Sequence, residues 1–246
     1  MSLIEAIVLG MLQGLTEFLP ISSSGHVRVV SALLGWDDPG AAFTAVIQLG
    51  TESAVIVYFR KEIWAIIRTW TLSLFRADLR PHPDARMGWF IIVGTLPIGV
   101  LGFAFQDTIE TALRSLVYIA LCLIIFGAIL GIADSVAKNR TPLARLTFRD
   151  ALIFGCAQSL ALIPGVSRSG GTMTAGLLMG YRREAAAKYS FLLAIAGVLA
   201  SAGLEMLKIG KAGETPAWGP TIVATIVSFL VGFAVVVYFM RWISKH

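Results

Sequence analysis

Five stretches of this chain, residues 41–59, 87–105, 116–133, 185–204 and 218–240, come close to the run of about 20 apolar residues that an α-helix needs to cross roughly 30 Å of hydrocarbon. So many membrane-length runs in 246 residues leave little chain from which to build a water-soluble core. Hydrophobic residues make up 57% and charged residues only 14%, against about 45–50% and about 25% in soluble domains. A typical cytosolic enzyme is excluded. Twenty Lys+Arg against fifteen Asp+Glu leave a net charge of +5, but the basic residues gather in short stretches between apolar runs, as at a membrane surface. A solvated basic patch interleaved with aromatics is missing, so no nucleic-acid partner is expected. The first residues carry no basic region or small-residue cleavage site, so no removable leader is expected. Cys122 and Cys156 lie in apolar runs and read as two buried thiols without a disulfide framework.

Two further apolar runs are too short to span. Residues 4–19 stop at Pro20 and residues 151–163 stop at Pro164; each is followed by a Ser/Gly cluster and a second short piece, residues 27–34 and 172–179. A short helix, a polar break and another short helix describe a re-entrant hairpin, tolerated at membrane depth only where the break is packed in protein or lines a wet cavity. The two hairpins resemble each other. Setting Ala6 on Ala151 gives an offset of 145 that also places Gly10 on Gly155, Gln13 on Gln158, Ser22 on Ser167, Ser24 on Ser169, Gly25 on Gly170 and Gly35 on Gly180. The prolines miss by one. This reads as an internal repeat, with residues 1–149 forming a first repeat of one hairpin and three spans, and residues 150–246 a second of one hairpin and two spans. The second is one span short, through loss or truncation.

Basic residues set the orientation. Arg60, Lys61, Arg68, Arg76, Arg80 and Arg86 put the segment after the first span in the cytoplasm, and residues 61–80 read as an amphipathic interfacial segment with Trp64 and Trp70 at headgroup level. The turn at Asp107 and Glu110, with only Arg114, lies outside, and Lys138, Arg140, Arg145 and Arg149 return the chain inside. Arg182 and Arg183 make the second hairpin enter and leave from the cytoplasm, while the first dips in from outside. The expected fold is therefore an all-α polytopic membrane protein with an inverted-topology repeat, its two re-entrant hairpins meeting near the midplane, where such folds place their site.

The breaks carry the chemistry. In Pro164-Gly165-Val166-Ser167-Arg168-Ser169-Gly170-Gly171-Thr172, serines and glycines after a proline suit a helix start, and unpaired N–H groups at the positive dipole end suit phosphate. Arg168 adds a planar fork matching phosphate oxygens, at an insertion cost of about 2.5–3.5 kcal/mol at membrane depth. In the first hairpin, Gln13 and Glu17 share a helix face at i, i+4, followed by Ser22, Ser23, Ser24, Gly25 and His26. An acid beside an anion must be protonated or hold a cation that also binds phosphate oxygens, as hard divalent cations do. Acid, histidine, hydroxyls and arginine around one anion suggest metal-assisted phosphoryl chemistry. Glu52, in the middle of the span 41–59, is costly there and marks either a pocket ligand or a hydrogen bond to a neighbouring helix.

Glu17-Phe18-Leu19-Pro20 with Ser22-Ser23-Ser24-Gly25-His26, and Pro164-Gly165-Val166-Ser167-Arg168-Ser169-Gly170 ending at Thr172, resemble the undecaprenyl-diphosphate phosphatase family of bacitracin-resistance proteins. Val46-Ile47-Gln48-Leu49-Gly50 and Phe191-Leu192-Leu193-Ala194 resemble its pattern too, so the similarity covers nearly the whole chain. The resemblance implies removal of the terminal phosphate of undecaprenyl diphosphate, a polyprenyl diphosphate lipid, in the bacterial plasma membrane with an outward-facing site. It also implies that Glu17 belongs to a Glu/Gln-x-x-x-Glu motif whose first position is Gln13, and that Ser23 and His26 match the catalytic serine and histidine. Glu17 and Gln13 would then hold Mg²⁺ or Ca²⁺. Ser22, Ser24 and Gly25 at one helix start, and Ser167, Arg168, Ser169, Gly170 and Thr172 at the other, would bind the phosphate. Family members usually continue through one more span. The nucleophile, Ser23 or an activated water, stays open, as does oligomeric state, a homodimer included. A flippase or other inverted-repeat transporter is the alternative, and would not need acid, histidine and serine together. A type-2 phosphatidic acid phosphatase needs a second active-site histidine, whereas His82 and His246 lie in a loop and at the terminus.

Overall fold

The computed structural model describes residues 1–105, 115–208 and 217–245. Among them are ten α-helices: α1 (Leu3–Thr16), α2 (Ser23–Leu33), α3 (Gly40–Tyr58), α4 (Arg60–Phe75), α5 (Pro83–Ala104), α6 (Leu116–Val136), α7 (Phe148–Ser159), α8 (Arg168–Leu178), α9 (Arg183–Lys208) and α10 (Trp218–Ile243). The turn at Asp107, Glu110 and Arg114 lies outside the described residues.

Among the described residues three helices, α5, α6 and α10, are long and apolar enough to cross a membrane, and α3 with α4 makes a fourth if the bent pair counts as one span. Their axes differ by 80°, so α4 turns sharply away from α3, with Trp64, Ile67 and Phe75 exposed. α9, 26 residues long, has the length to span, at about 1.5 Å per residue, and carries the apolar run of residues 185–204. Its first turns carry Arg183, Glu184 and Lys188, while Ala186, Ala187, Tyr189 and Leu193 are fully buried against neighbouring helices. A helix enclosed by protein can carry polar residues that a lipid-facing one cannot. By contrast, Val117, Ile124 and Ile132 of α6 stand outward, as lipid-facing side chains do. The chain is an all-α polytopic membrane protein.

The short helices repeat their local devices 145 residues apart. α1 opens with a capping box between Ser2 and Glu5, and α7 opens with one between Thr147 and Asp150. Ser22 caps α2 by accepting from the Gly25 N–H, and Ser167 caps α8 by accepting from the Gly170 N–H. Gly35 and Gly180, just past the ends of α2 and α8, take the left-handed conformation at φ 70° and 85° that glycine adopts without strain. Both second arms begin within the polar clusters, at Ser23 and Arg168, before the apolar residues start. Helix capping outweighs hydropathy there.

Packing crosses between the two halves. α1 lies along α10, and α7 lies along α5; α3 packs on both α9 and α10, and α9 on α5. Absent side chains allow the closest approaches. A Cβ on Gly10 would sit 2.5 Å from the Ala224 carbonyl oxygen, and one on Gly155 only 2.2 Å from that of Gly94. Small residues let membrane helices gain dispersion contacts along the backbone. Around these contacts, Phe18, Val55, Phe59, Phe191 and Phe239 form one buried cluster, and Phe90, Phe154, Tyr181 and Tyr189 another. Phe18 and Phe191 meet edge to face at 5.5 Å, holding the first break against α9. Of the two thiols read as buried, Cys122 is half-buried and Cys156 is exposed on the outer face of α7; both are free.

Candidate active site

α1 ends at Thr16, and Glu17 follows as its C-cap, still in helical conformation. Because Gln13 lies one turn earlier, its Nε2 reaches the Glu17 carboxylate and donates to Oε2 at 2.6 Å. The chain then turns through Pro20 to Ser22, which holds φ at 68°, a left-handed geometry costly for a residue with a Cβ. That turn starts α2 so that the Ser23 hydroxyl donates to the same Glu17 Oε2 at 2.5 Å. From the other break, Arg168 Nη2 donates to Glu17 Oε1 and, at 2.8 Å, to Glu52 Oε1. Glu17 thus accepts three donors while its side chain is 5% exposed, and Arg168 joins two carboxylates while 16% exposed. Buried charge is tolerated only when paired and hydrogen-bonded in this way.

Ser169 fastens the two breaks together, its hydroxyl donating to the Leu19 carbonyl at 3.2 Å and lying 3.4 Å from that of Glu17. Glu17, Phe18, Glu52, Val55, Arg168, Ser169, Ser190, Phe191 and Ala194 line one small cavity. It has a charged floor and apolar aromatic walls, the combination a phosphate on a hydrophobic tail requires.

The remaining expected residues fall around this centre. Ser22 and Ser167 cap their helices, with Ser24 Oγ 3.5 Å from Ser22 Oγ and Ser169 Oγ 3.1 Å from Ser167 Oγ. Gly25 and Gly170 supply the capped N–H groups, and a Cβ on Gly170 would stand 3.3 Å from the Pro20 carbonyl, so the tips pack closely. Thr172, expected at the phosphate, is fully buried. Its hydroxyl is engaged with the Arg168 carbonyl at 2.8 Å and with Ser190, which places it behind Arg168. His26 Nδ1 lies 2.8 Å from the Ser22 carbonyl. A carbonyl can only accept, so Nδ1 carries the proton and Nε2 of the neutral ring is the basic nitrogen. Among the described residues no hydrogen bond links His26 to Glu17 or Arg168.

Sequence reasoning left Glu52 unassigned, and the structure puts it in the cavity. The signal was an acid inside an apolar span; its partner lies 116 residues away. Ser190 on α9 had no such signal, whereas Phe191 and Ala194 stand in the run Phe191-Leu192-Leu193-Ala194 already singled out.

The oxygen donors suit a hard cation. No group of three or more His, Cys, Asp and Glu that could hold a metal occurs among the described residues, but Mg²⁺ and Ca²⁺ need only one or two carboxylates when phosphate supplies further oxygens. Two buried acceptors here lack a partner, Gln13 Oε1 and Glu52 Oε2. The Gln13 assignment follows from its contact, since only the amide nitrogen can donate to Glu17.

The sequence family described as bacitracin resistance protein BacA matches residues 6–246. Curated relatives extend over the full chain. An undecaprenyl-diphosphatase of Kineococcus radiotolerans is 57% identical, covering 100% of this chain and 87% of the relative; one of Thermobifida fusca is 56% identical, covering 100% and 84%. Another, of a Nocardioides species, is 54% identical over 99% of this chain and 89% of its own length. With both of its serine-rich breaks folded onto one arginine–carboxylate centre, the chain belongs to the bacitracin resistance protein BacA family.

Proposed function

We propose that this chain is a membrane undecaprenyl-diphosphatase, transferring the terminal phosphate of undecaprenyl diphosphate to water and returning undecaprenyl phosphate to cell-wall synthesis. The observation that carries this reading is the Arg168–Glu17–Ser23 chain of hydrogen bonds joining the two breaks, in a chain whose full-length relatives bear that enzyme name. Arg168 holds the terminal phosphate by its planar fork. Ser23 is the nucleophile the geometry favours: its Oγ attacks phosphorus, and its proton passes to Glu17 Oε2, the acceptor it already faces. Polyprenyl phosphate leaves, and water then releases phosphate from the serine, with His26 Nε2 as the available base. Glu17 and Gln13 would hold a divalent cation, which supplies charge stabilisation to the phosphoryl oxygens.

The same reading takes the fold as an inverted repeat of residues 1–149 and 150–246, with re-entrant hairpins entering from opposite leaflets and meeting near the midplane. Its support is reciprocal: paired capping boxes, serine caps and left-handed glycines 145 residues apart, and Gly10 and Gly155 each gripping a helix of the other half. The charge pattern supports α4 lying along the cytoplasmic surface, and the family resemblance implies an outward-facing site in the bacterial plasma membrane. Purified chain in detergent should release phosphate from polyprenyl diphosphate without any gradient and lose this on chelation. Absence of release from folded protein supplied with Mg²⁺ or Ca²⁺ refutes the enzyme reading and favours a carrier.

A further inference from the structure

Arg168 can neutralise only one of the two carboxylates it touches, so with both acids ionised the Glu17–Arg168–Glu52 cluster would carry a formal charge of −1 before substrate enters. A terminal phosphate, doubly charged near neutral pH, would take the cluster further negative inside a buried cavity. The single charge of one guanidinium cannot balance the phosphate and both carboxylates. When Arg168 turns to phosphate, Glu17 Oε1 and Glu52 Oε1 lose their donor, and like charges deep in protein cannot stand uncompensated. A proton or a further cation must join, and a further cation also offsets the phosphate. The atoms free to receive it are oxygens: Glu52 Oε2 and Gln13 Oε1 have no partner, on side chains that are 2% and 0% exposed.

We propose that Glu52 is a ligand of the divalent cation, forming with Glu17 a two-carboxylate cradle that Arg168 fills when no phosphate is bound. The inference rests on the phosphatase reading and deepens it by adding a residue from α3, outside both breaks. Cation and phosphate then bind with positive coupling, because each removes the obstacle to the other: phosphate draws the guanidinium out of the cradle, and the cation stabilises the carboxylates it leaves. Such coupling is reciprocal.

The test is Mn²⁺ binding to the detergent-purified full chain, read from the electron paramagnetic resonance signal of free Mn²⁺, with and without inorganic phosphate. For the wild type, phosphate should tighten Mn²⁺ binding by about 5–150-fold, the usual range of such coupling. Glu52→Gln should weaken Mn²⁺ binding tenfold or more with phosphate present. Glu52→Asp keeps the charge but withdraws it by one methylene, so it should weaken binding several-fold at near wild-type thermal stability; it decides the matter if Glu52→Gln does not fold. Mn²⁺ affinity unchanged in a folded Glu52→Gln or Glu52→Asp protein overturns the proposal, as does the result expected of a mere anchor for Arg168, namely tighter phosphate and unaltered Mn²⁺ binding. Because Mn²⁺ binding is read without turnover, the two readings fail separately. Phosphate release with cation affinity indifferent to position 52 removes this inference alone. Glu52-dependent Mn²⁺ binding without release from polyprenyl diphosphate removes the phosphatase instead.

Discussion

Replacing Arg168 by alanine removes the one cation that, among the described residues, pairs with two buried carboxylates, at 5% and 2% side-chain exposure. Removing one member of a buried ion pair costs about 3–5 kcal/mol, because the other charge stays buried. Glu17 keeps the donors Gln13 and Ser23, so most of the penalty falls on Glu52 and the cost moves toward the lower end. We therefore expect Arg168→Ala to lose about 3 kcal/mol of stability. Adding Glu52→Gln to it should restore about 1–3 kcal/mol, a coupling typical of residues in one network. Activity should behave differently. Loss of a preorganised donor to the phosphate lowers phosphate release by about 10²–10³, and the second substitution should not recover it. Thermal unfolding in detergent and phosphate release from polyprenyl diphosphate read the two quantities independently. A folded Arg168→Ala protein that releases phosphate normally, or a double variant no more stable than the single one, would refute the reasoning.

Three smaller perturbations follow from other contacts. Ser23→Ala should cut phosphate release by at least 10²-fold, comparable to loss of another transition-state group, and costs about 1.5–3 kcal/mol of unfolding free energy through the bond to Glu17. Gly155→Ala forces a methyl to within 2.2 Å of the Gly94 carbonyl oxygen; overpacking against backbone should cost about 1–3 kcal/mol, visible as a lower melting temperature. Tyr189→Phe deletes the 2.7 Å bond to the Phe90 carbonyl and should cost about 1 kcal/mol in the same measurement, with phosphate release intact.

Local features were the most legible in the sequence. Pro20 and Pro164 marked both breaks, and the 145-residue offset marked which glycines and serines correspond, because caps and turns depend on neighbours a few residues away. The joining of Glu17 to Arg168 could be argued in advance, since an acid and a basic group each costly at membrane depth call for one another. Glu52 could be flagged by the same cost, but its contact spans 116 residues, and nothing in local pattern says which way α3 turns its acid. The resemblance implied phosphate binding by Thr172; that its hydroxyl also meets the Arg168 carbonyl and Ser190 of α9 lay beyond local pattern.

The pairing of α1 with α10 also has a consequence for biosynthesis. The ribosome delivers α1 first, yet the helix whose Ala224 receives Gly10 is made roughly 200 residues later, about 10–40 s at ordinary elongation rates. Throughout that interval the short first arm, too brief to span alone, has no permanent neighbour on its glycine face. Insertion of this chain is therefore a waiting process, in which α1 can take its place only after α10 has been translated.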